Sequence, residues 1–194
     1  MRIRKTEMSE LEILLKLYEN ARKFMAEHGN EAQWGSTYPE RELVEADIRS
    51  GCSYVCVDDE DSEDSEGSEG SEGSEDSENI DGGGDSAGVE NGGRIAATFF
   101  FSTAPDPCYQ SIEGGQWLND VPYGVVHRIT SDGKTRGTAS FCLAWALAQC
   151  GNLKIDTHRD NHVMQNMLAK NGFTYCGIVH MEDGTERMAY QKSI

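Results

Sequence analysis

Between Ile129 and Ala139 the chain reads Ile-Thr-Ser-Asp-Gly-Lys-Thr-Arg-Gly-Thr-Ala. An apolar stretch ends there, a short loop carries glycines and basic residues, and a helical pattern begins. The first N–H groups of a helix have no partner within it, and the helix dipole adds partial positive charge at the same end. Small residues at Gly137 and Ala139 let a ligand approach those donors, and Lys134 and Arg136 offer charge-assisted hydrogen bonds. With Thr135 and Thr138 this makes a segment suited to a phosphate. The dipole alone contributes only about 0.3–1 kcal/mol, so an ordinary strand–loop–helix turn reads equally well from these residues by themselves.

One strand earlier stands His127, whose residue type titrates near 6.5 when unperturbed and so suits a general base. Simple alternation puts it on one face with Tyr123, Val125 and Ile129. A core histidine bonded to a carbonyl is the competing reading. His158 and His162, with Asp156 and Asp160, have ligand-like spacing, but Asn161 opens a helix between the histidines, so no metal is expected.

These residues need elements to hold them. Ile3 marks a first strand. Ser9, with Glu12 three residues on, predicts a capped helix whose buried face is Leu11, Leu14, Leu15, Tyr18, Ala21, Phe24 and Met25, ending at Gly29-Asn30. Gln33-Trp34-Gly35 and Thr37-Tyr38-Pro39 form an aromatic loop, with Pro39 in the first turn of a helix carrying Leu43, Val44 and Ile48. Residues 52–57 and 94–101 read as strands, Tyr123–Ile129 as another after a Pro-rich linker with Trp117, and Arg136–Gln149 as a helix. Leu153–Asp156 is a short buried strand, and a helix follows from Asn161 to a left-handed end at Asn171-Gly172. Phe173–Val179 and Arg187–Gln191 close the chain as a hairpin around Asp183-Gly184. The order β-α-α-β-β-β-α-β-α-β-β predicts an α/β domain with a mixed sheet, a single domain over residues 1–194.

The formal net charge of the 194 residues is -17, and most of it has one source. Residues 58–93 repeat Ser, Glu, Asp and Gly, and from Asp58 to Glu90 they hold 15 acidic residues and no Lys or Arg. Such a stretch cannot bury enough surface to offset an ordering entropy of about 1–2 kcal/mol per residue, which predicts a disordered acidic insert between two strands of a hairpin. It reads first as a solvated tether, and secondarily as an arm attracting a polycationic acceptor. Without it the chain is close to neutral. No apolar run reaches the roughly 18–20 residues of a membrane span, and the six scattered cysteines include no Cys-x-x-Cys pair. The expectation is a cytoplasmic protein with neither nucleic acid nor membrane as partner.

Lys134-Thr135-Arg136-Gly137-Thr138-Ala139 resembles the Gln/Arg-x-x-Gly-x-Gly/Ala signature of the GNAT (Gcn5-related) N-acetyltransferases, with Lys at its first position. Asn161 and Asn171-Gly172-Phe173 look like that family's helix-opening Asn and helix-closing Gly-Phe, and Leu153–His158 suits the strand before them. The strongest overlap runs from Tyr123 to Gln191, and element order extends it to the rest of the chain outside the insert.

The resemblance implies the GNAT acyl-CoA N-acyltransferase fold: a mixed, mostly antiparallel sheet with flanking helices and a V-shaped splay between Tyr123–Ile129 and Leu153–Asp156. It implies acetyl-CoA as acyl donor, its pyrophosphate on Lys134–Ala139, its pantetheine arm in the splay beside the backbone of His127 and Ile129, and Asn161 nearby. The acceptor would be a primary amine of a small molecule or peptide, with Trp34, Tyr38 and Trp117 lining its side, or forming a lid without specificity; a homodimer is compatible with the pattern. Two residues depart from the family. Tyr123 stands where histone-type members have a Glu base, and Leu168 where many have a Tyr acid. His127, Tyr123 and Tyr175 are the candidates left for proton transfer, each with a plain packing role as its competitor. A catalytically silent acyl-CoA-binding domain is the alternative function.

Overall fold

The computed structural model describes residues 1–59 and 93–194. Among them the chain runs β1 (Arg2–Lys5), α1 (Leu11–Glu27), α2 (Arg41–Arg49), β2 (Ser53–Asp58), β3 (Arg94–Ser102), β4 (Gly124–Ser131), α3 (Thr138–Cys150), β5 (Asn152–Thr157), α4 (His162–Lys170), β6 (Thr174–His180) and β7 (Glu186–Ser193). The strands form one sheet in the order β1-β2-β3-β4-β5-β7-β6. Every pairing is antiparallel except β4 with β5. That parallel pair meets only at Gly124–Leu153 and Val125–Lys154. Beyond those two positions the strands part, and the predicted splay is present. None of the described helices is long and apolar enough to cross a membrane.

Apolar side chains of the two sheet faces build separate cores. On one face Val126, Leu153 and Ile155 pack with Cys142, Leu143, Ala146 and Leu147 of α3 and Leu168 of α4. On the other, Leu14, Tyr18, Val44 and Ile48 of α1 and α2 cover Val55 and Val57. Farther along, Tyr109, Val125, Val179 and Ala189 gather under the segment between β3 and β4. Full burial of one such Leu, Val or Phe side chain contributes about 1.5–3 kcal/mol.

Residues 103–123 form a strap over the second face, tied down by polar bonds. Asn152 Nδ2 donates to Asn119 Oδ1 and to the carbonyls of Val121 and Pro122, while the buried Gln191 accepts from Leu118 N and donates to Asn119 and Asn152. A two-way backbone bridge joins Glu113 to Ile178 on the β6 edge. Pairing this otherwise open strand edge fixes the strap in register.

Four local expectations are corrected. Ser9 does not cap α1. It sits inside a 3-10 turn whose capping box joins Glu7 and Glu10, because the Glu10 carboxylate accepts from Glu7 N and is clamped by Arg4. Phe24 is 46% exposed and stacks on His28 instead of entering the core. Pro39 precedes α2, whose N-cap is Glu40, and does not lie in its first turn. The acidic stretch starts later than Asp58: that residue is buried at the end of β2, accepting from Arg94 Nη2 and Thr135 Oγ1. The expected disorder of the insert concerns residues that, apart from Asp58, Asp59 and Gly93, lie outside those described; the hairpin flanking it, β2 with β3, is present.

Candidate active site

The loop from β4 into α3 is built around Arg94, whose guanidinium bonds Asp58, Asp132 and Thr135. Asp132 also accepts from Lys134 N, and Thr138 Oγ1 donates to Thr135 O. Gly137 caps α3 with φ 83°, a left-handed conformation that favours glycine, and a Cβ there would meet none of the described residues within 4 Å. Phe141 N makes the bond back to Gly137 O, so the N–H groups of Thr138, Ala139 and Ser140 precede the first turn's closure and end the helix as donors. Lys134 and Arg136 are exposed beside them. The loop thus presents an open turn flanked by N–H groups and cations, which is chemically fit for a diphosphate.

Between the parted strands lies a cleft of about 850 Å³. His127 faces into it from β4. Its Nε2 is 2.7 Å from Asp106 Oδ2 on the strap, and its Nδ1 is 3.6 Å from Asp156 Oδ1 on β5. Tyr109 OH donates to the same Asp156 oxygen at 2.6 Å, and Arg187 Nε lies 4.0 Å from the other. The hydrogen bond to His127 holds the Asp106 carboxyl below the usual carboxylate range, against an opposing push from burial. Burial, reinforced by Asp156, raises the Tyr109 hydroxyl well above its ordinary value, so it stays a neutral donor. With Asp106 ionised, His127 donates through Nε2 and keeps a lone pair on Nδ1.

A bulge follows His127. Pairing passes from Phe100–His127 to Thr98–Thr130, one residue longer on β4, and Arg128 has φ 52°. This breaks the alternation expected of the strand. Ile129 turns to the face of Val126 and α3, while Val125 and Tyr123 pack on the opposite face; Ile129 therefore does not share a face with His127. The bulge sends Arg128 toward α2, where Nη2 donates to Asp47 Oδ2 at 2.7 Å and Nη1 to Tyr38 OH at 3.2 Å. Its guanidinium lies 4.8 Å from the Phe100 ring centre.

The cleft brings together Trp34, Tyr38, His127, Ile129 and Asn161 from the residues singled out in the sequence. Asn161 caps α4 by accepting from Met164 N and reaches Gln33 across the cleft. The other candidates sit elsewhere. Tyr123 and Trp117 enclose the Lys154 ammonium at 3.9 and 4.0 Å, and Tyr123 OH accepts from Asp106 N. Tyr175 is 47% exposed on β6 against Tyr190. Asp106, Tyr109, Asp47 and Arg128 were missed. Asp47 did leave a signal, a lone acid on the buried face of a helix beside Val44 and Ile48.

No family model matches the sequence, and no curated protein does. Solved structures match over the full chain. An acetyltransferase of the GNAT family from Streptococcus agalactiae 2603 is 27% identical, with a TM-score of 0.73 over 100% of this chain and 95% of that one. The chain has the GNAT-family fold. A ribosomal-protein-alanine N-acetyltransferase from Brucella melitensis shares the fold at 15% identity and TM-score 0.55, covering all of both chains. So does a chain of the NatC complex bound to Gag peptide and CoA, at 9% identity and TM-score 0.57, covering 100% of this chain and 98% of that one. The likeness to the GNAT acetyltransferases supports an acyl-transfer role.

Proposed function

We propose that this chain is an acetyl-CoA-dependent N-acetyltransferase that moves an acetyl group directly to a primary amine of a small molecule or peptide. The observation that carries the reading is His127, bonded to Asp106 and facing Asp156 where β4 and β5 part, on the strand whose following loop ends in the open Gly137 turn.

An alkyl amine with pKa about 10.4 is protonated at neutral pH, and presenting it uncharged costs roughly 4–5 kcal/mol. A base inside a partly desolvated cleft lowers that barrier, and general-base catalysis typically contributes about 10²–10⁴-fold. His127 Nδ1 accepts the proton, and Asp106 and Asp156 hold the resulting charge. The first-turn N–H groups of α3, with Lys134 and Arg136, would bind the coenzyme diphosphate; backbone groups of His127–Ile129 would hold the pantetheine arm. The coenzyme supplies an activated acetyl group as a thioester. Trp34, Tyr38 and the Asp47–Arg128 pair wall the acceptor side, and the exposed Glu182 and Asp183 stand at the cleft on the β6–β7 loop. Carboxylates outnumber the guanidinium groups along this lining, which favours a cationic amine.

The silent acyl-CoA-binding alternative draws on Leu168, fully buried in the core where a tyrosine acid is common in the family. A thiol-release assay with acetyl-CoA against a panel of primary amines separates the two. Turnover on at least one amine is expected. Coenzyme binding with no thiol released from any amine would favour the silent domain, and absence of both would overturn the assignment.

A further inference from the structure

Thr157 is the last residue of β5 and is 1% exposed, yet its hydroxyl has no hydrogen-bond partner among the described residues. Buried hydroxyls are nearly always bonded, and one left alone carries the full cost of its lost hydration. The residue lines the same cleft as His127, together with Ile155, Asn161 and Met164. Side chains alternate along β5. Leu153 and Ile155 pack toward α3 and α4, whereas Asp156 turns the other way, to Tyr109 and His127. Thr157 shares the parity of Ile155 and so belongs to the coenzyme side of the strand. At the mouth of the splay, consecutive residues therefore face opposite parts of the reaction, Asp156 the amine's proton and Thr157 the departing group.

From this placement we infer that the Thr157 hydroxyl donates a hydrogen bond to the sulfur of the bound coenzyme and stabilises it as the thiolate. The inference rests on the acetyltransferase reading. In the step it serves, the amine nitrogen bonds to the acyl carbon and the carbon–sulfur bond breaks with its electron pair going to sulfur. The amine proton goes to His127. A thiol is far more acidic than an alcohol (a cysteine side chain ionises near 8.5 when unperturbed), so the thiolate can leave with one donor beside it and take a proton later from water. A strong acid at the Leu168 position is not needed. The chemistry resembles an oxyanion hole, in which a donor aimed at developing charge lowers the barrier.

The test uses Thr157→Val, which keeps the branched shape without the hydroxyl, and Thr157→Ser, which keeps the hydroxyl. The ultraviolet absorbance of the thiolate is titrated in CoA bound to each protein, a readout that needs no turnover. Bound CoA is expected to be about tenfold more acidic in the wild type and in Thr157→Ser than in Thr157→Val, about one pKa unit. Steady-state kinetics should show Thr157→Val lowering kcat at least about tenfold with the KM for acetyl-CoA little changed, and Thr157→Ser restoring most of it. Equal thiol acidity in the wild type and Thr157→Val, or equal loss of kcat in both variants, would overturn the role of the hydroxyl while leaving the acetyltransferase reading intact. A wild type that binds CoA but releases no thiol with any amine would remove both.

Discussion

Asp106 Oδ2 lies 2.7 Å from His127 Nε2, so a residue of the strap fixes the ring of a residue on the central strand. The contact spans 21 positions in sequence and depends on the strap being anchored at Gln191, Asn152 and Ile178. His127→Gln should lower kcat by at least about 100-fold while leaving CoA affinity within a few-fold. Asp106→Asn should cost less, about tenfold, since Asp156 still faces Nδ1. Steady-state rates with calorimetric CoA titration check both, and a His127→Gln enzyme of normal kcat rules the histidine out as base.

The same pair sets a pH dependence of stability. The Asp106 carboxyl titrates lower in the folded chain than its ordinary value, chiefly because of the His127 bond. A carboxylate of this kind stabilises the fold above its unfolded pKa of about 3.9, and that contribution is lost as pH falls through the lower folded value. Asp106→Asn should be about 1 kcal/mol less stable than the wild type near neutrality, and the gap should close in acid. Urea melts across the acid range measure it; a gap independent of pH would contradict the linkage.

The strap itself gives a sharper test. A Cβ on Gly115 would collide with the backbone carbonyl oxygen of Cys176, an atom without the freedom of a side chain to move aside. Gly115→Ala should destabilise the protein by about 1–3 kcal/mol and lower kcat by displacing Asp106. Unchanged melting and activity would mean the strap does not position the site.

Arg94 organises the loop from β4 into α3 from below, bridging Asp58, Asp132 and Thr135. Arg94→Leu leaves two carboxylates facing each other without their shared cation. It should raise the KM for acetyl-CoA about tenfold, with a smaller effect on kcat. An unaltered KM would show that the loop keeps its shape without the guanidinium.

Acceptor charge is testable at the cleft mouth, where among the described residues neither Glu182 nor Asp183 is in an ion pair. The double variant Glu182→Gln, Asp183→Asn should lose several-fold in kcat/KM for a diamine and little for a neutral-tailed monoamine, with the difference shrinking as salt rises. Equal effects on the two acceptors would remove electrostatic selection.

Much of this fold was legible because its signals are local. Apolar spacing located the helices, and Gly29, Gly137 and Gly172 marked turns that do have positive φ. The turn from β4 into α3 was legible for the same reason, since its donors belong to one helix start. The surroundings of His127 were not. His127 could be named, but its partners Asp106 and Asp156 come from a strap and a strand that only tertiary packing brings together. The bulge at Arg128 was hidden as well. It inserts one residue into a regular-looking strand and so reverses the face of Ile129, which alternation alone cannot reveal. Thr157 gave no sequence signal, because an unbonded hydroxyl is a property of the packed interior.

The whole reading depends on the Gly137 turn gripping a diphosphate, and titration calorimetry with acetyl-CoA and with acetyl-pantetheine, which lacks that group, addresses it. Saturable binding of acetyl-CoA at least about 100-fold tighter than acetyl-pantetheine is predicted, consistent with several charge-assisted bonds at about 1.5–3 kcal/mol each before their ordering cost. Equal affinities for the two ligands, or no heat of binding with acetyl-CoA, would contradict it.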